Sequence, residues 1–138
     1  MDEVRLAEVR QRHDAPTVED PASRAREETA RLLSETALRP GARVAITAGS
    51  RGIRGIAGIY RAVAGAVREA GCEPFLFSSM GSHGRGTAEG QREVLDSLGV
   101  TEGFVGAPVI CSERVRLVGE TREPLPGLPV YVDRKSVV

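Results

Sequence analysis

The middle of the chain contains two short apolar runs, and between them an apolar stripe at helical spacing. Residues Arg43–Ala48 and Pro74–Ser79 are short apolar runs bounded by turn-forming residues, which favours buried strands. Between them an apolar stripe recurs at helical spacing at Ile56, Ile59, Tyr60, Val63 and Val67. A second helix is predicted to begin at Thr87, and its stripe is formed by Gln91, Val94, Leu95 and Leu98. The order strand–loop–helix–strand–loop–helix predicts two parallel neighbouring strands.

An amphipathic helix is predicted before the first strand. Asp20 is suited to cap its first turn, and Pro21 suits its first helical position. The face predicted to point inward consists of Ala22, Ala25, Thr29, Leu32, Leu33 and Thr36. Residues 1–20 are expected to form an extended arm, in which Val4, Leu6 and Val9 could form a short strand.

The pattern after Gly99 predicts three short strands, at Val109-Ile110, Val115–Val118 and Val130–Val132. We therefore expect an α/β fold with a Rossmann-like, mainly parallel sheet and flanking helices. The last run resembles an edge strand, and no helix follows it to cover the sheet. This predicts that the α/β domain, from residue 21 to 138, is incomplete and continues beyond the chain.

Composition excludes several classes of function. Nineteen basic and nineteen acidic residues cancel, so no net charge would attract nucleic acid or an anionic membrane. No apolar run is long enough to cross a bilayer, and residues 1–12 lack the apolar core of a signal peptide. Cys72 and Cys111 have neither metal-ligand nor disulfide-framework spacing, so reduced thiols and a cytoplasmic location are expected.

A glycine-rich segment, G-S-R-G-I-R-G, follows the first strand at residues 49–55 and is called loop one here. Its spacing matches neither the dinucleotide fingerprint nor the P-loop. Its glycines allow close backbone approach, and Arg51 and Arg54 offer donors suited to a carboxylate or phosphate. Loop one is therefore either an anion-binding loop or an ordinary turn with solvated arginines.

Loop two, M-G-S-H-G-R-G at residues 80–86, follows the second strand. Loops that follow parallel strands lie at the same edge of a sheet, where α/β folds bind ligands. His83 lies among small residues there and could transfer protons near neutral pH, although an isolated exposed histidine is often only a surface residue. His13, in the charged arm, has no such setting and is expected at the surface.

Both loops, with the segment T-A-E-G-Q-R-E-V-L after loop two, resemble the N-terminal domain of the nickel-dependent lactate racemase family. The resemblance covers roughly Val9 to the end of the chain and includes G-A-P-V-I and P-V-Y-V-D. It implies a two-domain enzyme that holds a nickel-pincer nucleotide and racemises or epimerises a small 2-hydroxy acid. In this family a histidine removes the hydroxyl proton while the α-hydrogen moves to the cofactor as hydride.

The resemblance also assigns roles to residues of this chain. Arg51 matches an arginine that binds the substrate carboxylate, and His83 matches one of two acid/base histidines. Ser50 replaces a threonine beside the cofactor, and the flanking Gly49 and Gly52 are assigned to the same cofactor-binding loop. One position departs from the pattern of the lactate racemases, because Ala48 stands where they carry an aspartate.

Other residues that the family requires are not recognised in this sequence. They are a second catalytic histidine, a lysine joined to the cofactor and a histidine that ligates nickel. The only histidines are His13 and His83, and Lys135, the only lysine, lies in a segment unlike the cofactor-lysine region. We therefore expect a missing C-terminal domain to supply them, and this chain alone to be inactive. A non-catalytic module that binds a nucleotide or anion is the alternative, and a purely structural domain is a third.

Overall fold

The computed structural model describes residues 7–12, 14 and 16–134, which form a mixed α/β fold. Within these residues the helices are α1 (Pro21–Ser34), α2 (Ile56–Glu69), α3 (Ala88–Ser97) and α4 (Glu102–Val105). The strands are β1 (Arg43–Ala48), β2 (Glu73–Ser78), β3 (Val109–Ile110), β4 (Val115–Glu120) and β5 (Pro129–Asp133). A single turn of 3-10 helix covers Gly84–Gly86.

A three-stranded parallel sheet in the order β1-β2-β3 forms the centre of the fold. The prediction of two parallel neighbouring strands is confirmed, with Arg43 opposite Glu73 at one end and Ala48 opposite Ser78 at the other. In β2 every residue after Glu73 is buried, as expected for a central strand with both faces covered. In β1 burial alternates, because its second face is open to solvent.

The core lies between the parallel sheet and its helices. Its most deeply buried large side chains are Leu76, Leu95, Val67, Val100, Val105 and Val109. The predicted stripe of α2 faces this core, since Ile56, Tyr60 and Val67 are buried and Ile59 and Val63 half-buried. This packing therefore fixes the position of Ile56, the first residue of α2, which directly follows loop one.

Helix α1 begins as predicted, with Asp20 as its N-cap and Pro21 as its first residue. It packs against α2, and Arg26 forms an ion pair with Glu69. The predicted inner face is only partly correct, because Leu32 is 54% exposed and Thr36 is also exposed. Helix α1 lies on the outer side of α2, so α2 covers fewer of its side chains than the sequence predicted.

Strands β4 and β5 form a separate antiparallel two-stranded sheet, with an irregularity between Leu117 and Gly119. The sequence placed these strands correctly but gave no indication that they pair only with each other. Several of their apolar side chains, including Val118 and Tyr131, remain more than half exposed. Helix α4, which the sequence pattern did not predict, is capped by Thr101 and ends at left-handed Gly106.

Few of the predictions for the arm can be assessed, since Val4, Leu6 and His13 lie outside the described residues. Val9 is 84% exposed and is not part of a strand. Cys72 and Cys111 are free cysteines, the first buried and the second half-buried. None of the helices described here is long and apolar enough to cross a membrane.

Candidate functional site

Loops one and two meet at the carboxyl edge of the parallel sheet, as the sequence predicted. The Ser50 Oγ atom lies 2.5 Å from Nδ1 of His83, so a hydrogen bond joins the two loops directly. The ends of the two strands are also tied together, because the Ser79 N–H donates to the Ala48 carbonyl oxygen at 2.8 Å. The pairing of β1 with β2 therefore brings the two loops together.

A cavity of about 380 Å³ opens between the loops. It is lined by Gly49, Ser50, Arg51, Ile53, Ile56, Tyr60, Ser79, Met80 and His83. Four of the five predicted site residues are in this set, whereas Gly52 is not. Arg54, the second arginine of loop one, also lies outside the lining. The cavity falls at the small end of the range usual for small-molecule sites.

The conformation of loop one is fixed at both ends. At its start the Gly49 N–H donates to the Tyr60 hydroxyl oxygen at 3.1 Å. At its end Gly55 has a left-handed φ of 72°, which glycine adopts without strain, and Ile56 begins α2 directly after it. The partial positive charge of this helix N-terminus therefore lies beside the cavity, which Arg51 also lines.

Loop two is held by a buried polar pair and by close backbone packing. Gln91 accepts a hydrogen bond from Ser78 Oγ at 2.6 Å and donates to the Gly81 carbonyl oxygen at 3.0 Å. Gly84 packs so closely on Gly90 that a Cβ atom on either glycine would collide with the backbone of the other. These contacts lie on both sides of His83 in the chain, so they determine where its backbone sits.

Arg85 is the only described residue other than glycine with a positive φ, at 60°. Its side chain lies 3.5 Å from Glu93, both are exposed, and it does not line the cavity. This conformation is uncommon for a residue with a Cβ atom and reflects the tight turn between Gly84 and Gly86.

His83 is exposed, and its hydrogen bond with Ser50 leaves Nε2 free for other contacts. When Nδ1 carries the proton, it donates to Ser50 Oγ and Nε2 presents a lone pair. Protonated histidine can also donate to Ser50 through Nδ1, so this hydrogen bond is compatible with both charge states of the ring. The arrangement therefore suits a group that accepts and returns a proton at Nε2.

Two residues of this region were not recognised as functional from the sequence. Tyr60 and Gln91 were both assigned to the apolar stripes of helices, yet the first lines the cavity and the second anchors loop two. The polar atoms of these side chains were the available signal, since a tyrosine or glutamine on a buried face needs hydrogen-bond partners.

Ala48 is the position at which the sequence departs from the lactate racemase pattern. Its side chain is completely buried at the end of β1 and is not part of the cavity lining. In the described part of the chain, no three His, Cys, Asp or Glu side chains come together in a way that could hold a metal ion.

No family model matches the chain, and no curated protein or solved structure is significantly similar to it.

Proposed function

We propose that the cavity between loops one and two binds a small 2-hydroxy acid, in a racemase or epimerase of the lactate racemase type. The observation that carries this proposal is the hydrogen bond between Ser50 and His83, two residues that line the same cavity as Arg51. The α/β fold is then the Rossmann-like N-terminal domain of a two-domain enzyme, whose second domain supplies the remaining catalytic groups.

Arg51 binds the substrate carboxylate in this proposal. Arg51 lines the cavity, and its guanidinium forms no ion pair with any residue that the structure describes. The planar guanidinium can donate two parallel hydrogen bonds to a carboxylate, which fixes both the position and the orientation of a small acid. The absence of Asp and Glu from the lining favours an anionic ligand.

His83 takes the proton from the substrate hydroxyl at Nε2 and later returns it. In the tautomer that carries its proton on Nδ1, Ser50 accepts this hydrogen bond and keeps the ring oriented, so a proton that leaves the substrate arrives on the other nitrogen, Nε2. A base oriented by a third group is the usual arrangement in general acid–base catalysis.

A nickel-pincer nucleotide would supply the site that accepts the α-hydrogen as hydride. The described residues do not provide a set of side chains for nickel, so they do not fit the metal itself. The buried Ala48 likewise leaves no carboxylate where lactate racemases carry an aspartate. Within this chain, Arg51 would bind the substrate carboxylate and His83 would transfer the hydroxyl proton.

Ligand binding can be measured by NMR titration of the ¹⁵N-labelled protein with D- and L-lactate. Propionate, which lacks the hydroxyl, and a mononucleotide serve as comparison ligands. We expect lactate to shift the amides of Gly49, Ser50 and His83 saturably and propionate to bind more weakly. Arg51→Ala should weaken lactate binding about 10- to 100-fold, the usual effect of losing hydrogen bonds to a charged group. Arg54→Ala is the matched control and should bind like the unaltered protein.

The possible results separate the candidate functions. Saturable binding of the nucleotide alone would favour the non-catalytic binding module. Equal binding of lactate and propionate would identify an anion site that does not recognise the hydroxyl. Absence of binding of any 2-hydroxy acid at millimolar concentration would overturn the proposal. In an enzyme complete with its second domain and cofactor, His83→Ala should abolish racemisation, measured by chiral chromatography.

A further inference from the structure

Tyr60 is one of the buried residues of the cavity lining, and its hydroxyl group lies beside Gly49. Tyr60 is only 9% exposed, whereas Arg51 and His83 are both exposed. Its ring belongs to the apolar stripe of α2 and packs in the core, while its side chain also borders the cavity beside Gly49. A ligand that fills the cavity would therefore meet this hydroxyl on its inner side.

The Tyr60 hydroxyl accepts a hydrogen bond from the protein but donates none to the described residues. Its oxygen accepts from the Gly49 N–H at 3.1 Å, so the tyrosine acts as an acceptor toward the protein. Among the described residues no acceptor is found for its own O–H proton, although tyrosine hydroxyls in buried positions usually find a partner. The O–H group can therefore direct its proton into the cavity, which Tyr60 lines.

The surroundings of the hydroxyl favour an anionic acceptor. The cavity lining includes Arg51 and the first residue of α2 but no carboxylate side chain. The helix N-terminus adds partial positive charge. The N–H of Gly49 also polarises the phenol, because an O–H group whose oxygen accepts a hydrogen bond becomes a stronger donor.

We infer that Tyr60 is a ligand-binding residue whose hydroxyl donates a hydrogen bond to the carboxylate of the bound 2-hydroxy acid, alongside Arg51. A carboxylate has about four acceptor positions, so it can bind the guanidinium and the phenol together. This inference rests on the proposed function for its ligand class. It adds a specificity-determining contact from a buried residue of the lining, where solvent competes less than at the exposed Arg51.

The chain offers a matched pair of variants for the test, since Tyr60 and Tyr131 are its only tyrosines and it has no tryptophan. Tyr131→Phe alters an exposed side chain of β5 and leaves Tyr60 as the sole tyrosine fluorophore. Titration of this variant with lactate should change the Tyr60 emission saturably. By isothermal titration calorimetry, Tyr60→Phe should bind lactate about 10- to 100-fold more weakly, whereas Tyr131→Phe should be unaffected.

A second readout separates direct contact from an indirect effect through Gly49. With saturating lactate labelled with ¹³C in its carboxylate, infrared spectroscopy reports the carboxylate stretch of the bound ligand. Loss of a hydrogen bond in Tyr60→Phe should shift this band relative to the unaltered protein, and Tyr131→Phe should leave it in place. A tyrosine that only supported loop one could change the affinity but would leave the band of the bound carboxylate unchanged.

The outcomes distinguish this inference from the proposed function. If lactate binds and both the affinity and the carboxylate band respond to Tyr60→Phe, the contact is established. If lactate binds but the band does not respond, the inference is wrong and the proposed function stands. If the unaltered protein binds no 2-hydroxy acid, the proposed function fails and the inference fails with it.

Discussion

Ser50 and His83 are separated by 33 positions in the sequence, yet Ser50 Oγ lies 2.5 Å from Nδ1 of His83. Each residue belongs to a loop that follows a parallel strand, and the pairing of the two strands brings the loops into contact. The hydrogen bond restricts the rotation of an exposed imidazole and determines which ring nitrogen remains free.

Removal of the Ser50 hydroxyl should release the His83 ring. In Ser50→Ala we expect the two neutral tautomers of His83 to approach the mixture found in free histidine, because the partner of Nδ1 is lost. The measurement is ¹⁵N NMR of the ring nitrogens at a pH where histidine is neutral. Ser50→Thr, which retains the hydroxyl, should restore the original distribution.

Ser82→Ala is the matched control, since Ser82 is an exposed serine of loop two outside the cavity lining. It should leave the His83 ring signals unchanged. Identical tautomer populations in Ser50→Ala and the unaltered protein would contradict a role of Ser50 in orienting His83.

Gly90→Ala should displace loop two, because the new methyl group would collide with the carbonyl group of Gly84. Overpacking of this kind destabilises proteins by about 1–3 kcal/mol, measured by denaturant unfolding. Gly58→Ala provides a control in the first turn of α2, where a Cβ atom meets nothing within 4 Å. That change should stabilise the fold by about 0.5–1 kcal/mol, since alanine favours helix. Equal stabilities for the two variants would show that the glycine contact is dispensable.

Gln91→Leu should destabilise the protein although leucine is the more apolar residue. It would leave the buried Ser78 hydroxyl and the Gly81 carbonyl without their present partner, at a cost of about 1–3 kcal/mol. Gln11→Leu, in the exposed arm, should leave the unfolding free energy unchanged. Adding Ser78→Ala to Gln91→Leu should recover part of the loss, and a strictly additive double variant would argue against a coupled pair.

The N-cap of α1 predicts a specific dependence of stability on pH. The hydrogen bond from the Ser23 side chain, followed by that from its backbone N–H, lowers the pKa of Asp20. Because this pKa is lower in the folded than in the unfolded chain, ionised Asp20 stabilises the fold above the unfolded value, and the contribution disappears as pH falls through the folded value. In thermal unfolding, the advantage over Asp20→Ala should therefore shrink below about pH 4. A constant difference down to pH 2 would contradict this account.

Much of the secondary structure followed from the sequence because its signals are local. The cap at Asp20, the stripe of α2 and the apolar run of β1 each depend on residues close together in the chain. The parallel pairing of β1 and β2 followed from their order. Helix α4 was missed because four residues contain too little of a helical period to be recognised.

The sequence alone determined that Arg51 and His83 lie in loops at one edge of a parallel sheet, because strand order and loop position fix this much. Only the tertiary structure decided that Ser50 bonds to His83 and that Tyr60 borders the same cavity. These relations depend on the packing of α2 against the sheet and of Gly84 against Gly90. Such distances between residues remote in sequence arise from the packing of the whole core, which no local pattern contains.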